Sequence, residues 1–275
     1  MNRPTTLREA IKAADSILIG AGAGLSAADG DHHSGPVFDE RFADFRAQRG
    51  ITDAYSGGFY PFPTSEERWA FWSRMISLLR YEAGPGQAYA DLLGLVDERD
   101  YFVITTNVDH RFQTSGFDKE RLFYTQGDYG LLQCSVPCDD ATYDNEQWVR
   151  QAVASQEGMH IPSELIPRCP RCGKEMTTNL RIDARFVQDE GWAAAAARYE
   201  DFLERTSAGR VLYLELGVGM NTPSIIKFPL WRRVYDNPEA TYACVALDAA
   251  APAEIADRSL LIRGDIAEAL AGARS

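Results

Sequence analysis

The sequence predicts an α/β protein built on a doubly wound parallel sheet that is interrupted by a small inserted module. Three observations predict it. Four short apolar runs each end in glycine or a polar cluster, helical patterns separate them, and a cysteine-bearing segment of different character lies in the middle. The chain has 275 residues, 45% of them hydrophobic, which is enough for one substantial core plus a small satellite.

The elements follow in order. Residues 6–14 read as a capping helix. Ser16 to Ile19 is a buried strand that breaks into Gly20-Ala21-Gly22-Ala23-Gly24, a tight glycine turn. Between 66 and 81, Trp69, Trp72, Met75, Ile76 and Leu79 recur at helical spacing, and Tyr89, Leu92, Leu93 and Val96 do so again after Gly86. Residues 101–105 form a second strand running straight into Thr106-Asn107-Val108-Asp109. Residues 211–216 form a third, opening into Gly217-Val218-Gly219, and residues 242–247 a fourth, ending at Asp248. The stretch from about 129 to 190 holds four of the five cysteines and little periodicity, and reads as the insertion. Residues 193–197 are an alanine tract that suits a helix. No fixed-period repeat is present. The expected division is 1–128 with 205–275 as the sheet domain and 129–204 as the module, with a helical part of the small domain drawn from about 31–82.

Charge and composition exclude some functions. Lys plus Arg is 28 against 40 for Asp plus Glu, a net charge of -12, so neither nucleic acid nor an anionic membrane is an expected partner. The apolar runs are too short to span a bilayer, and the opening MNRPTTLREA lacks the apolar stretch of an export signal, which leads to a cytoplasmic expectation. Cysteines in that compartment are reduced. Cys134-x-x-x-Cys138 and Cys169-x-x-Cys172-Gly173 are two close pairs about thirty residues apart, the pattern of a closed tetrahedral thiolate site for structural zinc. Cys244 falls inside the fourth strand and reads as core.

Candidate chemistry lies beyond the carboxyl ends of the strands, where helix amino termini offer free N–H groups to phosphate. Gly22, Gly24 and Ala27 give G-x-G-x-x-A, which lets backbone approach a pyrophosphate, and Gly217 with Gly219 supplies a second such turn. Ala23, Val218, Ser26, Asn221, Asp248 and Asp265 complete the candidate cofactor contacts. Asn107 and Asp109, polar groups at a strand end beside the glycine turn, are the candidate catalytic pair. His32, His33, His110 and His160 accompany no nucleophile motif, so a hydrolase triad is not expected. Phe59, Tyr60 and Tyr129 read either as an acceptor channel or as core.

Gly22-Ala23-Gly24-Leu25-Ser26-Ala27-Ala28-Asp29-Gly30 resembles the sirtuin cofactor loop, and Thr105-Thr106-Asn107-Val108-Asp109 resembles that family's T-Q-N-I-D. The cysteine pairs fall where sirtuins insert their zinc module, Gly217-Val218-Gly219-Met220 stands in place of G-T-S-L, and Gly264-Asp265 resembles the last cofactor turn. The chain departs from the family at two places. Asp31-His32-His33-Ser34-Gly35 replaces I-P-D-F-R, and Ala43-Asp44-Phe45-Arg46 occurs only later, which leaves open whether Asp44 and Phe45 serve the nicotinamide pocket. Gln126-Gly127 stands where most sirtuins carry a His-Gly that supplies a general base, and glutamine cannot take a proton.

The resemblance implies a Rossmann-like fold, NAD as co-substrate and catalytic roles for Asn107, Asp109 and Gln126, the last against the ribose hydroxyls. The combination with TQGDYGLLQCS and LELGVGMNTP is similar to the macrodomain-linked microbial sirtuins, which implies mono-ADP-ribosyl transfer to a protein acceptor, with a lipoylated carrier protein as the acceptor and a macrodomain hydrolase as functional partner. A deacylase, an NAD glycohydrolase and an inactive NAD or ADP-ribose sensor are the alternatives.

Overall fold

The computed structural model describes residues 4–30, 33–220 and 223–274. Its first three strands are β1 (Ser16–Ala21), β2 (Asp100–Thr105) and β3 (Leu122–Tyr124), followed by β4 (Gly127–Cys134), β5 (Thr142–Asp144) and β6 (Met176–Leu180) of the insertion. The chain then returns to the first sheet as β7 (Val211–Leu216), β8 (Thr241–Ala246) and β9 (Ser259–Arg263). The large sheet is wholly parallel in the order β3-β2-β1-β7-β8-β9. The order reverses direction between β1 and β7, so a crevice opens there at the carboxyl ends of the strands.

Burial explains why these segments are strands. Every residue of β1 and β7 is buried, as a central parallel strand covered on both faces requires. One face carries helices Leu7–Ala13, Gln87–Val96 and Ile266–Arg274 over Ile17, Ile19, Val103, Leu212 and Leu214. The other carries Glu190–Arg205 and Lys227–Asp236 over Leu18, Phe102, Tyr213 and Tyr242. Each Ile or Leu so covered contributes about 1.5–3 kcal/mol relative to exposure.

Two strands escape the sequence reading. β3 has only three residues, and β9 is half-exposed along its length, so neither forms a continuous apolar run. The helix Glu190–Arg205, placed by the sequence reading largely within the module, packs on the large sheet instead: Phe202 lies 5.5 Å from Phe102, and Tyr199 5.7 Å from Phe123, between ring centroids.

The second core joins two stretches of chain. Phe38, Phe42, Phe45, Trp69, Phe71, Trp72 and Met75 pack with Leu132, Val149, Met159 and Met176 of the insertion. β4 pairs antiparallel with both β5 and β6 under this layer. Thr64 starts the helix Ser65–Ile76 by accepting a hydrogen bond from the Glu67 N–H, and Glu67, 1% exposed, holds Arg49 through two hydrogen bonds.

Candidate active site

The two glycine turns meet at the switch point. The Gly22 N–H donates to Leu216 O at 3.0 Å and the Gly24 N–H to Gly217 O at 3.0 Å. A Cβ on Gly24 would lie 2.7 Å from the Gly217 Cα, and one on Gly217 would lie 2.5 Å from the Gly24 Cα. Gly217 also has φ +60°, the left-handed region that favours glycine. Gly217→Ala therefore combines backbone strain of about 1–2 kcal/mol with a main-chain overlap that cannot relax by rotating a side chain. The expected result, read by calorimetric titration with ADP-ribose, is a loss of affinity of tenfold or more together with a lower melting temperature.

These turns line a cleft of about 430 Å³. Ala23, Gly24, Ala27, Gly217, Val218 and Gly219 meet Asp248 and Asp265 there, so most of the expected cofactor residues share one surface. Gly22 lies buried behind it, against Gly217 O. Asp265 caps the helix Ile266–Arg274 by accepting from the Glu268 N–H at 2.9 Å. Asn221 and His32 lie outside the described residues. A cleft of about 390 Å³ opens at the opposite, amino ends of β7, β8 and β9, lined by Val211, Thr241 and Ser259. The reversal of strand order makes a crevice at the carboxyl ends, so the 430 Å³ cleft is the candidate site.

Deeper in, Asn107 and Asp109 converge on Ser26. The Ser26 hydroxyl donates to Asp109 Oδ2 at 2.5 Å, and Asp109 Oδ1 accepts from the Arg111 N–H at 3.2 Å. Asn107 Nδ2 donates to Gly22 O at 3.0 Å and to Ser26 Oγ at 3.1 Å. Its backbone N–H is held by Thr105 Oγ1 at 3.0 Å, so the strand end itself sets the side-chain direction. Among the described residues, nothing donates to Asn107 Oδ1, which leaves that atom for a ligand. Tyr89 completes the network, its hydroxyl 2.8 Å from Ser26 Oγ and 3.3 Å from Asn107 Nδ2. Burial, with the nearby Asp109 charge, pushes the Tyr89 phenol up, so it remains a protonated donor.

Gln126 is partly buried where β3 gives way to β4, and its carbonyl accepts from the Arg181 N–H at 3.0 Å. The backbones of its segment and of the Asn107 segment run side by side: Thr125 N–H donates to Thr105 O at 3.0 Å, and Tyr129 N–H to Val108 O at 2.8 Å. In the same place His110 Nδ1 meets Asp128 Oδ2, while Arg80 Nε and the Gly130 N–H donate to Asp128 Oδ1 at 3.1 and 2.7 Å. Burial alone would raise the Asp128 carboxyl, but these partners, His110 foremost, outweigh it and hold the carboxyl below its usual value.

Several sequence candidates sit elsewhere. Arg74 grips Asp44 through two hydrogen bonds of 2.8 Å, and Phe45 is fully buried among Phe42, Phe62 and Phe71. The pair serves the small-domain core. Tyr129 is buried near Trp72, and its phenol is pushed up by burial, whereas Phe59 is exposed and Tyr60 lines a 120 Å³ cavity with Trp69, Trp72 and Thr178. Cys244 is fully buried in β8, its thiol 3.5 Å from Glu215 Oε1.

The four cysteines of the insertion come together. Their sulfurs all lie within 4.8 Å of one another, with Cys134–Cys172 and Cys138–Cys169 both at 3.6 Å. Tetrahedral zinc with bonds of about 2.3 Å sets sulfurs about 3.8 Å apart, so the cluster fits zinc. The N–H groups of Cys172 and Arg171 aim at Cys169 and lower its thiol to about 7, which favours the thiolate a metal needs. Four protein ligands close the shell, so such a metal would supply structure only.

Tyr89, Arg111, His110 and Asp128 were absent from the sequence-derived site. Tyr89 belongs to the helical repeat that also marks a core face, and Asp128 falls within TQGDYGLLQCS, where the sequence reading gave a role to Gln126 alone.

No family model matches the chain. A protein ADP-ribosyltransferase of Staphylococcus aureus (strain Mu50) is 39% identical over 262 residues, covering 94% of this chain and 83% of that protein. A Fusarium oxysporum f. sp. cubense protein named "Probable bifunctional ADP-ribose hydrolase/ADP-ribosyltransferase" is 36% identical over 236 residues, covering 81% of this chain and 38% of that longer one. Among solved structures, a Sir2 homologue–NAD complex matches with a TM-score of 0.63 at 15% identity, over 100% of this chain and 96% of that one.

Proposed function

Because the chain belongs to the protein ADP-ribosyltransferases and has the sirtuin fold, we propose that it transfers ADP-ribose from NAD to a lipoylated carrier protein and releases nicotinamide. The observation that carries this reading is the convergence of Asn107 and Asp109 on Ser26, directly beside two glycine turns whose backbones pack together. The turns and the 430 Å³ cleft suit the adenosine and pyrophosphate. Asn107 Oδ1 is placed to stabilise the positive charge that grows on the nicotinamide ribose as its glycosidic bond stretches. Asp109, kept in place by Ser26 and the Arg111 N–H, adds negative charge to the same region. Gln126 contributes hydrogen bonds to the ribose hydroxyls without titrating. Asp248 and Asp265 would meet the adenosine end of the cleft, and zinc on the four cysteines would tie the end of β4 to the turn before β6.

The Fusarium relative's name joins a hydrolase to a transferase, which supports a macrodomain hydrolase as the functional partner that removes the mark. The test is incubation of the protein with NAD and a lipoylated carrier protein, followed by intact-mass analysis. The expected result is a gain of one ADP-ribose on the carrier and release of nicotinamide in equal amount. NAD consumption with an unmodified carrier would replace this reading with a glycohydrolase or deacylase, and intact NAD would replace it with a sensor.

A further inference from the structure

The transferase reading leaves one chemical task without a group. A protein nucleophile that attacks the ribose must lose a proton, and Gln126 cannot take it. Ser26 donates its own hydroxyl to Asp109, and the buried Tyr89 phenol remains protonated, so neither is placed to accept one. The carboxylate among them, Asp109, is buried and already accepts from the Ser26 hydroxyl and the Arg111 N–H, so the residues around Ser26 bind and polarise but offer no free base.

His110 follows Asp109 directly. It has φ +65°, rare for a residue with a side chain, and is the only described non-glycine residue with positive φ. The twist turns its Nδ1 onto Asp128, two residues beyond Gln126. Asp128 is 7% exposed along its side chain and has three partners: His110, Arg80 and the Gly130 N–H. The imidazole is 28% exposed, and no described residue bonds its Nε2. An imidazole that donates Nδ1–H to a buried carboxylate has its other nitrogen fixed as the acceptor tautomer, the same division of labour as in a serine-hydrolase triad. The hydroxyl or thiol to be activated would here come from the acceptor protein.

Resting on the transferase reading, we propose that His110 is the general base of the transfer step, with Asp128 as its positioning residue. Nε2 takes the proton from the acceptor nucleophile while the bond from that nucleophile to ribose C1′ forms. The C1′–nitrogen bond breaks at the same time, nicotinamide leaves with the electron pair as a neutral molecule, and the proton passes from His110 to solvent. The charged groups facing the imidazole are Asp128 from β4, Arg80 behind it from the turn Ser77–Tyr81, and Asp109 and Arg111 on its own segment.

The test measures ADP-ribosyl transfer to a lipoylated carrier between pH 6 and 9 for the wild type, His110→Gln, Asp128→Asn and Asp128→Glu, with NAD affinity measured in parallel. Wild-type transfer rises with pH to a plateau through a single inflection. His110→Gln lowers transfer about 100-fold and removes the inflection, while NAD affinity stays within threefold. Asp128→Asn removes the carboxylate that holds Nδ1, so its plateau drops at least tenfold, and Asp128→Glu, which keeps a carboxylate for Nδ1, restores most of it. Should His110→Gln not fold, the two Asp128 variants decide: rescue by glutamate supports the proposal, and equal loss in Asp128→Asn and Asp128→Glu overturns it. Transfer within threefold of wild type in His110→Gln, or a surviving inflection, overturns the role of His110 alone. A wild type that modifies no carrier overturns the transferase reading and this proposal together.

Discussion

Asn107→Ala is expected to reduce ADP-ribosyl transfer by about 100-fold to 1,000-fold while NAD affinity changes less than tenfold. The size follows from where the side chain stands. Its Nδ2 is anchored on Gly22 O and Ser26 Oγ, so Oδ1 is aimed in advance, and a dipole fixed before the reaction costs no reorganisation when charge develops. The lost hydrogen bonds contribute only about 0.5–1.5 kcal/mol each to folding, so the variant stays folded. Single-turnover kinetics separate the two effects: the rate of nicotinamide release should fall and the NAD dissociation constant should hardly move. A variant that keeps more than a tenth of wild-type turnover would show that the asparagine is only a strand-end turn residue.

Loss of the metal is the second large effect. Cys169→Ser, or exhaustive chelation, is expected to unfold the small domain while the parallel sheet survives. The path of the damage can be named. Glu175 follows the Cys169–Cys172 turn, and its carboxylate takes hydrogen bonds from Ser65, Arg68 and the Trp69 indole. Trp69 meets Trp148 edge-on at 5.1 Å, so the turn, the helix Ser65–Ile76 and the helix Glu146–Ala154 form one mechanical unit. With apparent zinc free energies of about 10–16 kcal/mol in small peptides, a loss of at least about 5 kcal/mol is expected, or roughly 10–20 °C in melting temperature. Tryptophan emission should shift red as Trp69 and Trp148 become wet. An unshifted spectrum after complete zinc removal would mean that the aromatic core, not the metal, holds the module.

How far the sequence could be read depended on whether a signal was local. β1, β2, β7 and β8 are buried on both faces and stand out as apolar runs, whereas three-residue β3 and half-exposed β9 owe their pairing to neighbours already in place. The sequence reading drew a helical part of the small domain from about 31–82 but took Trp69, Trp72 and Met75 only as a core face; their partners Leu132, Val149 and Met176 lie some sixty to a hundred residues later and are visible only in the fold. The site divides the same way. Gly22, Gly24, Asn107 and Asp109 sit at strand ends, where position alone marks them. Tyr89 reaches the network from a helix packed on the sheet, and Asp128 meets His110 across two strand exits, so both required the tertiary structure. Asp44-Phe45 is a motif-like pair whose partners, Arg74 and Phe71, were not legible in the sequence.

The contact between the two glycine turns also bears on when the protein can act as it is made. Gly24 and Gly217 are separated by almost two hundred residues, yet each occupies the space the other's side chain would need. A ribosome that has released the first two hundred residues has delivered Asn107, Asp109, His110 and all four thiolates of the metal cluster, but only one wall of the nucleotide crevice. The crevice between β1 and β7 therefore cannot form until residues 211–217 have emerged and paired with β1.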